Sequence, residues 1–166
     1  MGIAPLSGLI QLRTLNLDSR LITDAGLVYI TGLSNLLVLD LFGARVTRAG
    51  AECIGKLTGL TSLEACGGGL TNDAVEELQG LTRMQTLNIS QNELIGNTAM
   101  CCVSQMTSMT SLNIAGTAVS NQGARLLTQL SVLTSLCISG CRINDTMIAA
   151  LQNMPHMLYL TAEPNA

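Results

Sequence analysis

The chain has 166 residues, 48% of them hydrophobic but only 11% charged and 2% aromatic, with a net charge of −3 at pH 7. Its eight basic residues are scattered singly, which excludes the clustered cationic surface that nucleic acid requires. One Phe, two Tyr and no Trp leave an aliphatic core in regular layers as the way to fold. No charged segment followed by an apolar run opens the chain, and no stretch approaches the ~18 apolar residues of a bilayer span.

The elements recur in chain order. The first unit opens at Leu9 and places apolar residues at +3, +6, +8 and +13: Leu12, Leu15, Leu17 and Ile22. The second runs Leu33, Leu36, Leu39, Leu41, Val46. The third runs Leu57, Leu60, Leu63, Ala65, Leu70, and the fourth Leu81, Met84, Leu87, Ile89, Leu94. The fifth is Met106, Met109, Leu112, Ile114, Val119, and the sixth Leu130, Leu133, Leu136, Ile138, Ile143. A partial seventh begins at Met154 with Met157 and Leu160. The steps are 24 residues except between the fourth and fifth units, where the step is 25 and an extra residue is expected near Ile95, Gly96 and Asn97, absorbed on the turn or convex face.

Residues +6 and +8 are two apart, so both point to one face of a short strand. A single strand cannot bury that face, whereas a stacked neighbour supplies both a parallel partner and a continuous core. Thr23, Thr47, Thr71, Ser120 and Asn144 precede a helical pattern, and each is expected to cap it with its own side-chain oxygen. Gly26, Gly50 and Gly123 follow the cap by three residues, where a small side chain lets neighbouring helices approach. Ile30, Ile54, Leu78, Leu127 and Leu151 close each helix onto the core. The expected fold is an α/β solenoid: a curved parallel sheet on the concave side and short helices on the convex side. It forms one domain over residues 1–166, with full repeats starting near 9, 33, 57, 81, 106 and 130.

The pattern Leu-x-x-Leu-x-x-Leu-x-Leu followed by "ITDAGL" resembles the ribonuclease-inhibitor-like leucine-rich-repeat superfamily. The stretches "LNLDSRLITDAGL", "LDLFGARVT", "GGGLT" and "LNISQN" are similar to an intracellular leucine-rich-repeat family of land plants and green algae. Relatives of that family carry more repeats, so the resemblance implies a fragment of a longer protein. The "LSGxIP" signature of plant receptor ectodomains is absent. At the turn position where such repeats place Asn or Cys, the chain has Arg20, Ala44, Gly68, Asn92, Thr117 and Cys141, so an Asn ladder is largely missing.

The concave face is the usual binding surface of such an arc. Its outward residues fall in three columns. The first is Thr14, Val38, Ser62, Thr86, Ser111, Ser135 and Tyr159. The second is Asn16, Asp40, Glu64, Asn88, Asn113, Cys137 and Thr161. The third is Asp18, Phe42, Cys66, Ser90, Ala115 and Ser139. Asp18, Asp40, Phe42, Glu64 and Asn88 form the candidate partner-binding patch. Asp40 and Glu64 lie on adjacent strands roughly 5 Å apart, so their charges repel unless something relieves them. A basic or amide-rich protein segment is one source of relief; Arg20 and Arg45 in the adjoining turns are the other.

The six cysteines offer no pair at bridging distance and no zinc spacing, and are read as small buried hydrophobes in a reduced, intracellular and cytoplasmic setting. The lone histidine, His156, has no nucleophile and carboxylate placed with it by any motif. "GGG" at 67–69 is a tight turn rather than a phosphate loop. No cofactor, metal, membrane or nucleic-acid partner is expected. The expectation is a protein-binding scaffold or adaptor rather than an enzyme. Alternatives are the substrate-recognition repeats of an F-box-type ubiquitin ligase and a receptor ectodomain fragment. With its N-terminal repeat uncapped, the chain is expected to be either a fragment of a longer repeat protein or one that self-associates through that end.

Overall fold

The computed structural model describes residues 2–18 and 21–163. Among these, strands β1 (Thr14–Asn16), β2 (Val38–Asp40), β3 (Ser62–Glu64), β4 (Thr86–Asn88), β5 (Ser111–Asn113), β6 (Ser135–Cys137) and β7 (Tyr159–Thr161) form one sheet in sequential order. Every pairing is parallel and in register, so Leu15, Leu39, Leu63, Leu87, Leu112, Leu136 and Leu160 face one another across successive rungs. The opposite side of each repeat carries a short helix: α1 (Asp24–Leu27), α2 (Arg48–Gly55), α3 (Asn72–Glu76), α4 (Asn97–Val103), α5 (Asn121–Leu127) and α6 (Asp145–Gln152). No described helix is long and apolar enough to cross a membrane.

The core is the space between sheet and helices. The +3, +6 and +8 residues of repeats two to six are buried, as are Ile30, Ile54, Leu78, Leu127 and Leu151 on the helical side. Burying one such leucine contributes roughly 1.5–3 kcal/mol, which is why very short strands suffice. Repeat one is less covered. Leu9 is exposed, while Leu12, Leu17 and Ile22 are half-buried with Ile3 and Leu6 from the 3-10 turn Ala4–Gly8 packed against them.

Two expectations need correction. In repeat four the buried +13 residue is Ile95 at 0% exposure, whereas Leu94 is 66% exposed. Leu94 bridges Thr71 as Arg45 bridges Thr23 and Arg142 bridges Ser120, so Leu94 holds the rung before the buried site. The extra residue therefore sits ahead of Leu94, in the turn after β4, and not at Ile95–Asn97. Burial of one apolar side chain outranks even spacing.

The helix caps also differ. Only Thr47 and Asn144 cap their own helices, accepting from the amides of Ala49 and Met147. Thr23, Thr71 and Ser120 make no such bond. Caps come instead from the preceding repeat. Asp24 accepts from the Thr47 amide (2.9 Å) and hydroxyl (2.6 Å). Asn72 Oδ1 accepts from Gly96 N at 2.8 Å and Ala99 N at 3.3 Å. Asn97 Oδ1 accepts from Ser120 N at 2.9 Å and Gly123 N at 3.0 Å, and Asn121 from Asn144 N at 3.0 Å. The side chain that opens one helix thus satisfies the free amides of the next. This explains the small-residue column: a Cβ on Gly50 would collide with Asp24 Oδ1, and one on Gly123 would lie 2.6 Å from Asn97 Oδ1. At Gly26 a Cβ would meet only Ile3, at an ordinary 3.4 Å.

The turns after the strands take a left-handed residue at one fixed position: Gly43, Gly67, Gly116 and Gly140, with φ of 66–70°. In repeat four that position is Gln91, at φ 58°. Gly69 is also left-handed, at φ 82°, so "GGG" is the tight turn expected. The turn side chains divide the remaining polar work. Buried Asn92 accepts from the amides of Gly69 and Leu70 and donates to the carbonyls of Ala65 and Ile89, all at 2.9 Å. Thr117 and Cys141 both donate to the Ile114 carbonyl.

Gln91→Gly is expected to raise stability by about 0.5–1 kcal/mol, because relief of left-handed strain exceeds the added chain entropy of glycine; the urea midpoint reports it. Asn92→Ala is expected to lower stability by about 2–4 kcal/mol, since buried amides and carbonyls on two repeats lose their partner at once. A loss below about 1 kcal/mol in the same assay would mean that water replaces the side chain.

Candidate functional site

The three outward columns are aligned by the strand register. In the middle column the Asn and Asp side chains fold back on their own strand exits. Asn16 Oδ1 accepts from Asp18 N at 2.8 Å, Asp40 Oδ1 from Phe42 N at 3.0 Å, and Asn88 Oδ1 from Ser90 N at 3.0 Å. Asn113 does the same with Ala115 N at 3.0 Å. Asn and Asp suit this position because their oxygens reach the amide two residues on.

Asp40 and Glu64 are register partners on adjacent strands, as the spacing predicts. Each also bonds away from the other. Asn16 Nδ2 donates to Asp40 Oδ2 at 2.8 Å, and Asn88 Nδ2 donates to Glu64 Oε2 at 2.9 Å. The row reads amide, carboxylate, carboxylate, amide, with the like charges in the middle. Sequence reasoning placed Asn16 in this column but left it out of the patch. The usable signal was its register with Asp40.

Arg45 forms no ion pair with either carboxylate. The ion pairs among the described residues, Arg48–Glu77 at 2.7 Å and Lys56–Glu52 at 3.1 Å, belong to the helical side. Arg20 lies outside the described residues. Glu64 Oε1 is sealed from solvent and has no hydrogen-bond partner. Burial pushes the Glu64 carboxyl above its ordinary value and Asp40 adds to the rise, against the bond from Asn88.

Phe42 stands beside the row with 51% of its surface exposed. Asp18 is exposed at the end of the described segment 2–18. Cys66, expected on the open face, is buried, and its Sγ accepts from Ser90 Oγ at 3.3 Å. Ser90 is buried as well, and Ala115 and Ser139 are half-buried, which leaves Phe42 as the column's large exposed member. Cys53, Cys66, Cys101, Cys102 and Cys137 are free thiols. Cys53 is buried, but Cys101 is exposed and Cys102 and Cys137 are half-buried, so the reading of all six as buried holds only in part. His156 lies in a shallow surface groove with Val132, Thr134 and Leu158. No group of three His, Cys, Asp or Glu among the described residues is placed to hold a metal ion.

A parallel sheet of in-register leucine rungs, each returning through a short helix, defines a leucine-rich-repeat solenoid. A family model described as Leucine Rich repeat matches residues 105–127. Among solved structures, internalin C2 from Listeria monocytogenes is similar, with a TM-score of 0.80 and 23% identity over 96% of this chain. The chain spans 65% of the length of that structure. At this identity the likeness concerns the fold. No curated protein sequence matches the chain.

Because Glu64 has a raised folded-state pKa, its ionisation opposes folding. The stability linked to its neutral form is complete below the ordinary carboxyl value of 4.5 and is lost as pH rises through the folded value. Glu64→Gln is therefore expected to raise the urea midpoint at neutral pH, with the gain closing as pH falls below 4.5. A gain equal at every pH would point to packing instead of charge.

Proposed function

We propose that the concave sheet of repeats one to four is a protein-binding face, and that Asp18, Asp40, Phe42, Glu64 and Asn88 receive a basic or amide-rich segment of a partner. The observation behind this reading is the juxtaposition of register-paired Asp40 and Glu64, without a cation among the described residues, and the half-exposed Phe42. An aromatic ring rimmed by polar groups is a suitable anchor, because a partner can cover the ring while its donors meet the carboxylates. A Lys or Arg laid between Asp40 and Glu64 would relieve their repulsion, and Arg would do so in bidentate fashion. The affinity would then weaken with salt.

Affinity capture from native lysate with wild type and with Asp40→Ala/Phe42→Ala/Glu64→Ala tests the reading. Partners retained by wild type and reduced at least about tenfold by the triple variant are expected, because loss of an anchor and its paired charges exceeds about 1.4 kcal/mol. Capture of Skp-type and cullin subunits would place the repeats in a ubiquitin ligase. Identical partners with both proteins would assign the patch a structural role.

A further inference from the structure

We infer that the solenoid is built as two cooperative units that part between repeats two and three, because the cap, concave and turn bonds of the neighbouring joints are replaced there by one exposed ion pair. On the helical side, the cap-donating position of repeat two is Arg48, where its equivalents are Asp24, Asn72, Asn97 and Asn121. A guanidinium has no acceptor, so it cannot hold the Thr71 amide as those residues hold Thr47, Gly96, Ser120 and Asn144. Arg48 instead reaches Glu77 in a surface ion pair, which salt screens.

On the concave side, the joints before and after this one carry Asn16–Asp40 and Glu64–Asn88 hydrogen bonds. The joint itself sets Asp40 against Glu64. In the turns, Arg45 N bonds the Ile22 carbonyl across joint one–two, and Asn92 ties repeat three to repeat four. The Gly69 and Leu70 amides are both spent on Asn92, so repeat three faces forward along the chain. The leucine rungs continue unbroken through the joint, as do the strand bonds, among them Leu41 N to the Glu64 carbonyl at 2.7 Å and Ser62 N to the Leu37 carbonyl at 3.0 Å. Apolar packing and strand bonds thus hold the joint, reinforced by side chains through the exposed Arg48–Glu77 pair, with Nε–Oε1 at 2.8 Å, and Thr61 Oγ1 on the Leu37 carbonyl.

Detaching repeats one and two leaves too few repeats to bury a core, so they open and close together. Asp40 and Phe42 lie on one side of this joint and Glu64 on the other. A partner seated on both would hold it shut, a consequence that rests on the proposed binding face; the joint does not.

Native-state hydrogen exchange against denaturant in about 0.5 M NaCl, which screens the ion pair, tests the division. The amides of Leu17, Leu37, Leu41, Gly43 and Ser62 are expected to share one opening isotherm. Those of Ala65, Gly67 and Thr86 should be at least about tenfold better protected. Arg48→Asn, which restores an acceptor for Thr71, is expected to raise protection of the first set about 5-fold and leave the second unchanged. Arg48→Ala, which removes the ion pair and restores nothing, should not raise it. Protection that declines repeat by repeat toward the N-terminus, or that is uniform, overturns the proposal. So does an Arg48→Asn protein whose first set exchanges as in wild type.

Discussion

Every other feature depends on one constraint: no single repeat can bury its own leucines. A three-residue strand and a helix of one or two turns enclose too little apolar surface to stand alone. Stacking in register solves this, because each +6 leucine packs on its counterparts in the repeats before and after. The strand hydrogen bonds, the constant repeat length and the arrangement of helices on one side follow from that register. It also explains why the first and last described strands, each paired on one side only, are less covered than those between them.

Polar groups follow the same logic of sharing. A helix this short leaves most of its first amides without internal partners. The repeats satisfy them across the joint, through Asp24, Asn72, Asn97 and Asn121, and pack Gly50 and Gly123 where a larger side chain would strike the accepting oxygen. Asn92 performs an equivalent task inside the turns. The polar links at each joint are then set by a few residues: at the second joint Arg48 stands where its equivalents are acceptors, and Asp40 faces Glu64.

The candidate binding face lies over that same joint. Its carboxylates are not quenched by lysine or arginine among the described residues; they are held in place by flanking amides, with one Glu64 oxygen unmatched. The geometry of this row is fixed by the strand exits and by the bonds between neighbouring repeats.

Periodicity alone determined the fold, because a stacked solenoid repeats its physics every 24 residues and any apolar residue out of step would meet water. It also placed Asp40, Phe42 and Glu64 on one face, since alternation along a strand dictates which side chains point outward. It did not locate the insertion, because Leu94 and Ile95 are equally apolar and only burial of Ile95 distinguishes them. It could not assign the caps either. Thr and Asn signal a helix start, but which amide an Asn72 or Asn97 oxygen reaches depends on how closely the next repeat packs. The pairing of Asn16 with Asp40 and the burial of Cys66 behind Ser90 are likewise contacts between residues 24 apart. Local chemistry names such residues, and only their stacking in space decides their partners.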